Sequence, residues 1–191
     1  LNAAAQLAMM EGAENTCLFV QNMADFFRYN VRKMEKDTTL KEELELVDNY
    51  IYILNVRFAG EIHYTKQIDE RVTGTMMPSM ILQPLIENAV NHGIRELQGE
   101  GKIHLSVYSD DGMVCVKVED NGVGIEPEVI EKIMRGESAH SHSQRDSAGI
   151  GMDNVINRLK RYYNMEHVIE IRRREERGCL LYTSPSPRDV E

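Results

Sequence analysis

The chain has 191 residues, which accommodates one domain of ~150 residues with an additional element and is too short for two ordinary domains. Its formal charge of −9 argues against non-specific nucleic-acid binding, because neutralising phosphates requires a basic surface. The three cysteines, Cys17, Cys115 and Cys179, form no Cys-x-x-Cys pair, so neither a disulfide framework nor a zinc site is indicated and a cytoplasmic location is expected.

The N-terminal third of the chain predicts helices. From Leu1 to about Met34, apolar residues recur at helical spacing without a proline, which predicts one long helix that frays at Gly12. Thr39 and Glu42 then form a Thr-x-x-Glu capping box. Apolar residues follow at alternating spacings of four and three as far as Phe58, which predicts a second helix with one buried stripe.

Strand-like patterns dominate the rest of the chain. They predict strands at Glu61–Asp69, Lys102–Tyr108, Met113–Glu119, His167–Arg173 and Gly178–Tyr182. Asp110-Asp-Gly112 is a hairpin signal, so the second and third of these strands are expected to be antiparallel neighbours. Residues 126–148 are polar with little periodicity, and a loop of that length inside a domain is usually functional or disordered. Helical spacing returns at Met152–Leu159.

A polar face interrupts the apolar segment Leu82–Gly93, which reads LQPLIENAVNHG. On an α-helix, Glu87, Asn88, Asn91 and His92 cover an arc of roughly 140°, opposite the apolar residues. Magnesium prefers oxygen ligands, so one Asn oxygen and a triphosphate can complete its coordination, and Asn88 is the candidate. Glu87 can orient an acceptor or take its proton. A solvated polar face is the alternative interpretation.

A second motif, VEDNGVGI, spans Val118–Ile125. Asp120 ends an apolar strand, and Gly122 and Gly124 allow the backbone to turn tightly and approach a ligand. A carboxylate in this place can read an adenine amino group. If the motif stood alone, a plain Asp-Asn-Gly turn would be the preferred interpretation.

The third motif is Gly149-Ile-Gly151, placed just before an amphipathic helix. This arrangement directs free backbone amides and the positive end of the helix dipole at phosphate. Basic residues lie nearby, most of them expected to be solvated surface charges and a minority to touch phosphate; they are Lys132, Arg135, Arg145, Arg158, Lys160 and Arg161.

Taken in this order, the three motifs resemble the Asn box and the two glycine boxes of the GHKL superfamily of gyrase, Hsp90, histidine kinase and MutL ATPases. The flanking segments Phe26-Phe-Arg-Tyr29, Leu40-Lys-Glu-Glu-Leu44 and Asn154-Val-Ile-Asn-Arg-Leu159 narrow the resemblance to sensor histidine kinases of the LytS/YesM type.

The resemblance implies an α/β fold, a two-layer sandwich in which helices cover one face of a mixed, mostly antiparallel sheet, preceded by a long helix. Residues 1–36 would then be a remnant of the dimerisation and phosphotransfer helices. Residues 37–183 would be the ATP-binding catalytic domain, with its ATP lid at about 126–148. The tail 184–191 is expected to be disordered and not native to the domain, because Cys179-Leu-Leu-Tyr-Thr gives way to Ser-Pro-Ser-Pro where the family continues its last strand.

The resemblance also implies site roles, with ATP and Mg²⁺ as cofactors. Glu87 is the catalytic acid or base and Asn88 the metal ligand. Asp120 accepts from the adenine, Gly122 and Gly124 make room for the ring, and the second glycine box closes the lid over the phosphates. The cofactor-binding set is Asn88, Asn91, His92, Asp120, Gly122, Gly124, Ile125, Gly149, Ile150, Gly151 and Met152.

The phosphate-accepting histidine of the family lies in a Pro-His-Phe-Leu-Tyr-Asn segment directly upstream of a Leu-Asn like Leu1-Asn2, so this chain is expected to begin just after it. The implied partners are a second copy of the parent kinase and a response regulator, whose aspartate receives the phosphoryl group. The implied setting is the cytoplasmic part of a membrane sensor, with any membrane anchor upstream.

Two other functions remain open from the residues. One is a GHKL ATPase that drives clamp closure, or an anti-sigma-type serine kinase; the predicted N-terminal helices favour the sensor kinase instead. The other is a nucleotide-binding module without chemistry, against which the intact Glu87, Asn88 and Asp120 argue.

Overall fold

The computed structural model describes residues 1–32, 37–58, 60–94, 97, 100–135, 147–173 and 179–183. Within these ranges, the side chains are described except at 30–32, 92–93, 147–150 and 179–183. The helices in these ranges are α1 (Asn2–Met10), α2 (Glu14–Arg32), α3 (Leu40–Arg57), α4 (Leu82–Asn88), α5 (Pro127–Arg135) and α6 (Ser147–Tyr163). The strands are β1 (Asp37–Thr39), β2 (Ile62–Ile68), β3 (Met76–Pro78), β4 (Gly101–Asp110), β5 (Met113–Asp120), β6 (Ile169–Arg173) and β7 (Cys179–Thr183).

The main sheet contains five strands in the order β2-β4-β5-β7-β6. β2 pairs with β4 in parallel, and the other neighbours are antiparallel. These are the five strands that the sequence predicts, and the predicted mixed, mostly antiparallel sheet is confirmed. A small antiparallel pair, β1 with β3, lies ahead of α4.

One hydrophobic core joins the sheet to the helices. Alternate residues of β4 and β5 are buried on one face, as the period of two requires, and Cys115 is buried on the opposite face of β5. Helices α3, α4 and α6 contribute to the same cluster, which includes Val47, Ile51, Leu82, Leu85, Ile86, Ile103, Leu105, Val107, Val116, Val118, Met152, Val155 and Leu159. The predicted α/β fold class is therefore confirmed.

The predicted single N-terminal helix is wrong in one respect, because the chain turns back at Gly12. The φ of Gly12 is 70°, and its amide donates to the carbonyl of Met9 while the Ala13 amide donates to the carbonyl of Ala8. This pair of bonds is a Schellman motif, which ends a helix at a glycine. α1 and α2 form a hairpin whose interface consists of small side chains, Ala5, Ala8, Ala13, Cys17 and Val20.

Two further local predictions have different outcomes. The capping box is confirmed: Thr39 Oγ1 accepts from the Glu42 amide, and Glu42 Oε2 accepts from the Thr39 amide, both at 3.3 Å. In contrast, the first part of the predicted irregular lid forms helix α5, whose Ile130 and Ile133 pack against the core. Pro127 at its first position suits a helix start. The rest of the predicted lid, residues 136–146, and the tail 184–191 lie outside the described residues.

Within the ranges given above, none of the helices combines the length and the apolar character needed to cross a membrane.

The β4–β5 hairpin provides a stability test at Gly112. Asp111 and Gly112 have φ values of 46° and 77°, as a two-residue type I′ turn requires. Gly112→Ala is expected to lower the free energy of unfolding by about 1–2 kcal/mol, because a Cβ disfavours the left-handed region. Urea denaturation measures this change. Gly74→Ala is the control, since both glycines have open space where a Cβ would lie but only Gly112 has a positive φ. An equal decrease in the free energy of unfolding in both variants would contradict the type I′ turn at Gly112.

Candidate nucleotide-binding site

Helix α4, which carries the first motif, begins at a buried carboxylate from α3. Glu43 is 0% exposed. Its Oε1 accepts from the Met80 amide at 2.8 Å, and its Oε2 accepts from the amides of Ile81 at 2.9 Å and Leu82 at 3.0 Å. The first amides of a helix have no partner within the helix, so Glu43 replaces the missing N-cap side chain and complements the helix dipole.

Two other groups hold this helix start. The Tyr29 hydroxyl of α2 donates to Glu43 Oε1 at 2.7 Å. Burial, followed by the Glu43 carboxylate, raises the pKa of Tyr29 above its usual value, so the phenol remains a donor. From the other side, Arg158 Nη1 of α6 donates to the Ser79 carbonyl at 2.5 Å. Arg158, predicted as a candidate phosphate contact, therefore has a partner in the protein backbone.

Sequence reasoning missed Glu43. The available signal was its position: with Leu40, Leu44 and Val47 it lies on the predicted buried stripe of α3, where a carboxylate needs donors. Those donors are 37 to 39 residues further along the chain, so spacing alone could not identify them.

Glu87, the predicted acid or base, is held by a residue one turn earlier. Gln83 Nε2 donates to Glu87 Oε1 at 2.7 Å, and Gln83 is only 6% exposed. Burial, and after it the Glu87 carboxylate, raise the pKa of Tyr50 above its usual value, which places Glu87 within electrostatic reach of α3. Gln83 thus fixes one oxygen of Glu87 and leaves the other available to a reacting group.

Asn88 is the next residue, and one atom of its side-chain amide has no hydrogen-bond partner among the described residues. Its Nδ2 is buried, and no hydrogen-bond partner for it lies in the described part of the chain. Since the oxygen and nitrogen of a carboxamide are assigned from the hydrogen-bond network, this means that one end of the Asn88 amide is available. A buried polar atom without a partner is unfavourable unless a ligand supplies one.

The motif helix changes form after Asn88. Residues Ala89–Ile94 are π-helical, so the predicted regular α-helix through Gly93 is wrong there. Hydrogen bonds from i to i+5 widen the turn and shift the faces, so the 100° spacing does not give the directions of Asn91 and His92. Asn91 is exposed, and the segment packs against β4 and β5.

Asp120 lies at the end of β5, opposite Ile103 of β4, and is 4% exposed. Its Oδ1 accepts from the Gly122 amide at 2.8 Å, which closes a tight turn. Gly124 has a φ of 77°, a conformation that glycine adopts without strain. Ile125 is partly buried against the core.

Asn121, which no prediction singled out, fixes this loop to β4. Its Oδ1 accepts from the Lys102 amide at 2.7 Å, and its Nδ2 donates to the Glu100 carbonyl at 2.9 Å. The middle residue of the Asp-Asn-Gly turn therefore has a structural role.

The second glycine box does not precede its helix, as the sequence predicted, but lies inside it. α6 begins at Ser147 and includes Gly149, Ile150 and Gly151 in its first turns. Met152 is buried in the core, so its predicted part in cofactor binding remains a prediction. α4 contacts α6, and the π-helical segment contacts β5, so the three motifs lie on elements that pack together.

The oxygen ligands in this region would coordinate a magnesium ion only together with the oxygens of a phosphate. Among the residues described, no group of three or more His, Cys, Asp or Glu side chains could hold a metal. Asn88 could supply one protein oxygen, and Mg²⁺ commonly takes one or two protein ligands while keeping waters and substrate phosphates. The residues present therefore fit a nucleotide-bound Mg²⁺.

Known proteins are similar to this chain in sequence and in fold. Residues 77–187 match the family model described as histidine kinase-, DNA gyrase B- and HSP90-like ATPase, and residues 1–62 match the histidine kinase model. The first match covers more than half of the chain. The chain therefore belongs to the histidine kinase-, DNA gyrase B- and HSP90-like ATPase family, and the predicted resemblance to sensor histidine kinases is confirmed.

Individual relatives give the degree of similarity. The chain is 33% identical to sensor histidine kinase YpdA of Escherichia coli strain K12 over 168 residues, which are 87% of this chain and 28% of that protein. It is 26% identical to sensor histidine kinase YesM of Bacillus subtilis strain 168 over 172 residues, 90% of this chain and 28% of that protein. Thus the chain spans little more than a quarter of the length of these relatives.

The fold is also that of a solved structure, the catalytic domain of histidine kinase ThkA. The TM-score is 0.59 with 20% identity, over 80% of this chain and 95% of that domain. This similarity concerns the fold alone.

Proposed function

We propose that this chain binds ATP with Mg²⁺ and transfers the γ-phosphoryl group to a histidine of the parent sensor kinase that lies outside these residues. The phosphorus–oxygen bond to ADP breaks, a phosphorus–nitrogen bond to the imidazole forms, and the imidazole proton leaves to a base. The phosphoryl group then passes to an aspartate of a response regulator. The observation that carries the proposal is the adjacent pair on α4: Glu87, held by Gln83, beside Asn88, whose Nδ2 has no hydrogen-bond partner in the described ranges.

Each residue has a distinct part in this reaction. Asn88 binds the Mg²⁺, which neutralises charge on the phosphates when bound. Glu87 orients the imidazole and takes its proton, since its second oxygen is not held by Gln83. Asp120 accepts from the adenine amino group beside Gly122 and Gly124. The amides at the start of α6 face the phosphates, with Gly149 and Gly151 permitting close approach.

The parent is proposed to act as a homodimer in which α1 and α2 contact a second copy. The hairpin buries small side chains and leaves large apolar ones exposed, namely Leu7, Met10, Leu18 and Phe27. Large apolar side chains exposed on a helical hairpin suit subunit contacts. We assign the chain to the cytoplasmic side of a membrane sensor because it is related to sensor kinases.

The proposal is tested by phosphoryl transfer from radiolabelled ATP. The chain is incubated with Mg²⁺ and ATP, alone and with a supplied protein segment that carries the upstream histidine. Label on that segment only, dependent on Mg²⁺, is the expected result. Label on the chain alone would show that the acceptor is misplaced, whereas steady release of phosphate without an acceptor would favour a GHKL ATPase.

Gln83→Leu is expected to slow phosphoryl transfer by roughly ten- to a hundredfold, because a small misplacement of a catalytic group has effects of this size. The affinity for Mg²⁺-ATP should stay within about twofold, because Gln83 contacts Glu87 rather than the proposed nucleotide ligands. Transfer rates at saturating ATP and calorimetric titration separate these effects. Gln67→Leu, at an exposed position of β2, is the matched control, and equal rates in both variants would remove the positioning role of Gln83.

A further inference from the structure

We propose that Tyr29 and Glu43 are a positioning pair that links helix α2 to helix α4, so that a displacement of α2 changes the placement of Glu87 and Asn88. This inference rests on the proposed function, because it concerns the control of the same nucleotide site.

The first argument is that Glu43 joins three helices through one buried group. Its side chain belongs to α3, and its two oxygens accept from one hydroxyl of α2 and three amides at the start of α4. A buried carboxylate that loses a donor is strongly disfavoured, since no water replaces the bond. If α2 moves, the rearrangement with the lowest free-energy cost is therefore one in which Glu43 and the amides of α4 move with Tyr29.

The second argument is that the same face of α2 also packs on Tyr50 of α3, which lies within electrostatic reach of Glu87. Phe26 precedes Tyr29 by three residues, so the two lie on one face of the helix. The Phe26 ring stacks on Tyr50 of α3, with ring centroids 5.8 Å apart and planes inclined by 21°. Tyr50 is the side chain whose pKa the Glu87 carboxylate raises, after burial. Helix α2 is thus bonded to the start of α4 through Glu43, and it packs on Tyr50, whose hydroxyl lies within electrostatic reach of Glu87.

The third argument is the backbone at Met80. Its φ of 61° is in the left-handed region, which residues other than glycine rarely adopt. Such a conformation persists only where the surroundings hold it. The Met80 amide donates to the same Glu43 oxygen that accepts from Tyr29, at 2.8 Å. Loss of this bond therefore favours relaxation of the backbone directly before the motif helix.

The test compares Tyr29→Phe with wild type in the full chain. The substitution removes only the hydroxyl, so the ring still packs. Amide hydrogen exchange at Met80, Ile81 and Leu82 is expected to accelerate by about fivefold or more, in line with the loss of one hydrogen bond to a charged group. Calorimetric titration with Mg²⁺-ADP should give an affinity weaker by at least about threefold. A role in overall stability alone would not change these three amides selectively, because it would speed exchange throughout the core.

Glu43→Gln is the second variant and should have the larger effect, since it places an amide group against backbone donors. Its control is Glu45→Gln, an exposed position of the same helix. Tyr108→Phe, on an exposed part of β4, is the control for Tyr29→Phe. If Glu43→Gln does not fold, Tyr29→Phe still decides the question.

Each outcome has one meaning. Faster exchange at the three amides together with weaker Mg²⁺-ADP binding in Tyr29→Phe supports the pair. Unchanged amides, or unchanged affinity in a wild-type chain that binds nucleotide, overturns the inference and leaves the proposed function intact. A wild-type chain that binds no nucleotide overturns the proposed function and the inference with it.

Discussion

Asp120→Asn is expected to weaken ATP binding by about ten- to a hundredfold, because a hydrogen bond to a charged group contributes about 1.5–3 kcal/mol and 1.4 kcal/mol corresponds to tenfold. The two side chains have the same shape, and the Asn oxygen can still accept from the Gly122 amide, so the turn should persist. A carboxamide also donates as well as accepts. The ratio of the affinity for ATP to the affinity for GTP should therefore decrease in the same variant.

Calorimetric titration with Mg²⁺-ATP and Mg²⁺-GTP measures both effects, and a thermal melt shows whether the variant remains folded. Asp110→Asn, at an exposed position at the end of β4, removes the same charge away from the site and should leave both affinities unchanged. Unchanged ATP affinity in Asp120→Asn would remove the assignment of Asp120 to the adenine.

Asn88→Asp is expected to reduce Mg²⁺-dependent phosphoryl transfer by about a hundredfold or more, the scale seen when a group that stabilises transition-state charge is lost. A neutral amide oxygen leaves the charge of the metal available to the phosphates, whereas a carboxylate neutralises part of that charge. The new carboxylate would also lie next to the carboxylate of Glu87. The effect on nucleotide binding should be smaller, because the adenine contacts remain.

The transfer rate is followed as a function of Mg²⁺ concentration, with nucleotide binding measured in parallel. Asn15→Asp, at an exposed position of α2, is the charge-matched control. A transfer rate close to wild type in Asn88→Asp would exclude this residue as the metal ligand.

Much of the fold follows from local patterns. The alternation in β4 and β5, together with the Asp-Asp-Gly turn, determines both the pairing and the register, with Asp110 opposite Met113. The Thr39–Glu42 capping box determines where α3 begins. These features depend on residues close in sequence, so sequence reasoning finds them.

The features that it missed depend on distant partners or on the backbone. The donors to Glu43 come from α2 and from the start of α4, and no short spacing connects them. The change to a π-helix at Ala89 shifts backbone hydrogen bonds without altering the side-chain pattern, so a helical wheel does not detect it. The break at Gly12 was visible only as a possible fraying point, because apolar spacing continues across it.

The candidate site divides in the same way. The motifs identified Glu87, Asn88 and Asp120 by residue type and order. The residues that hold them, Gln83 and Asn121, were recognised only in the structure, since a buried Gln on an apolar face and the middle residue of a turn are ordinary features of any sequence.

The most direct test of the account is titration of the chain with Mg²⁺-ATP and Mg²⁺-GTP, for wild type and Asp120→Asn side by side. The account predicts that the wild-type chain binds ATP in preference to GTP and that the substitution reduces both the affinity and the preference. Absence of ATP binding in the folded wild-type chain, or equal binding of the two nucleotides, would contradict it.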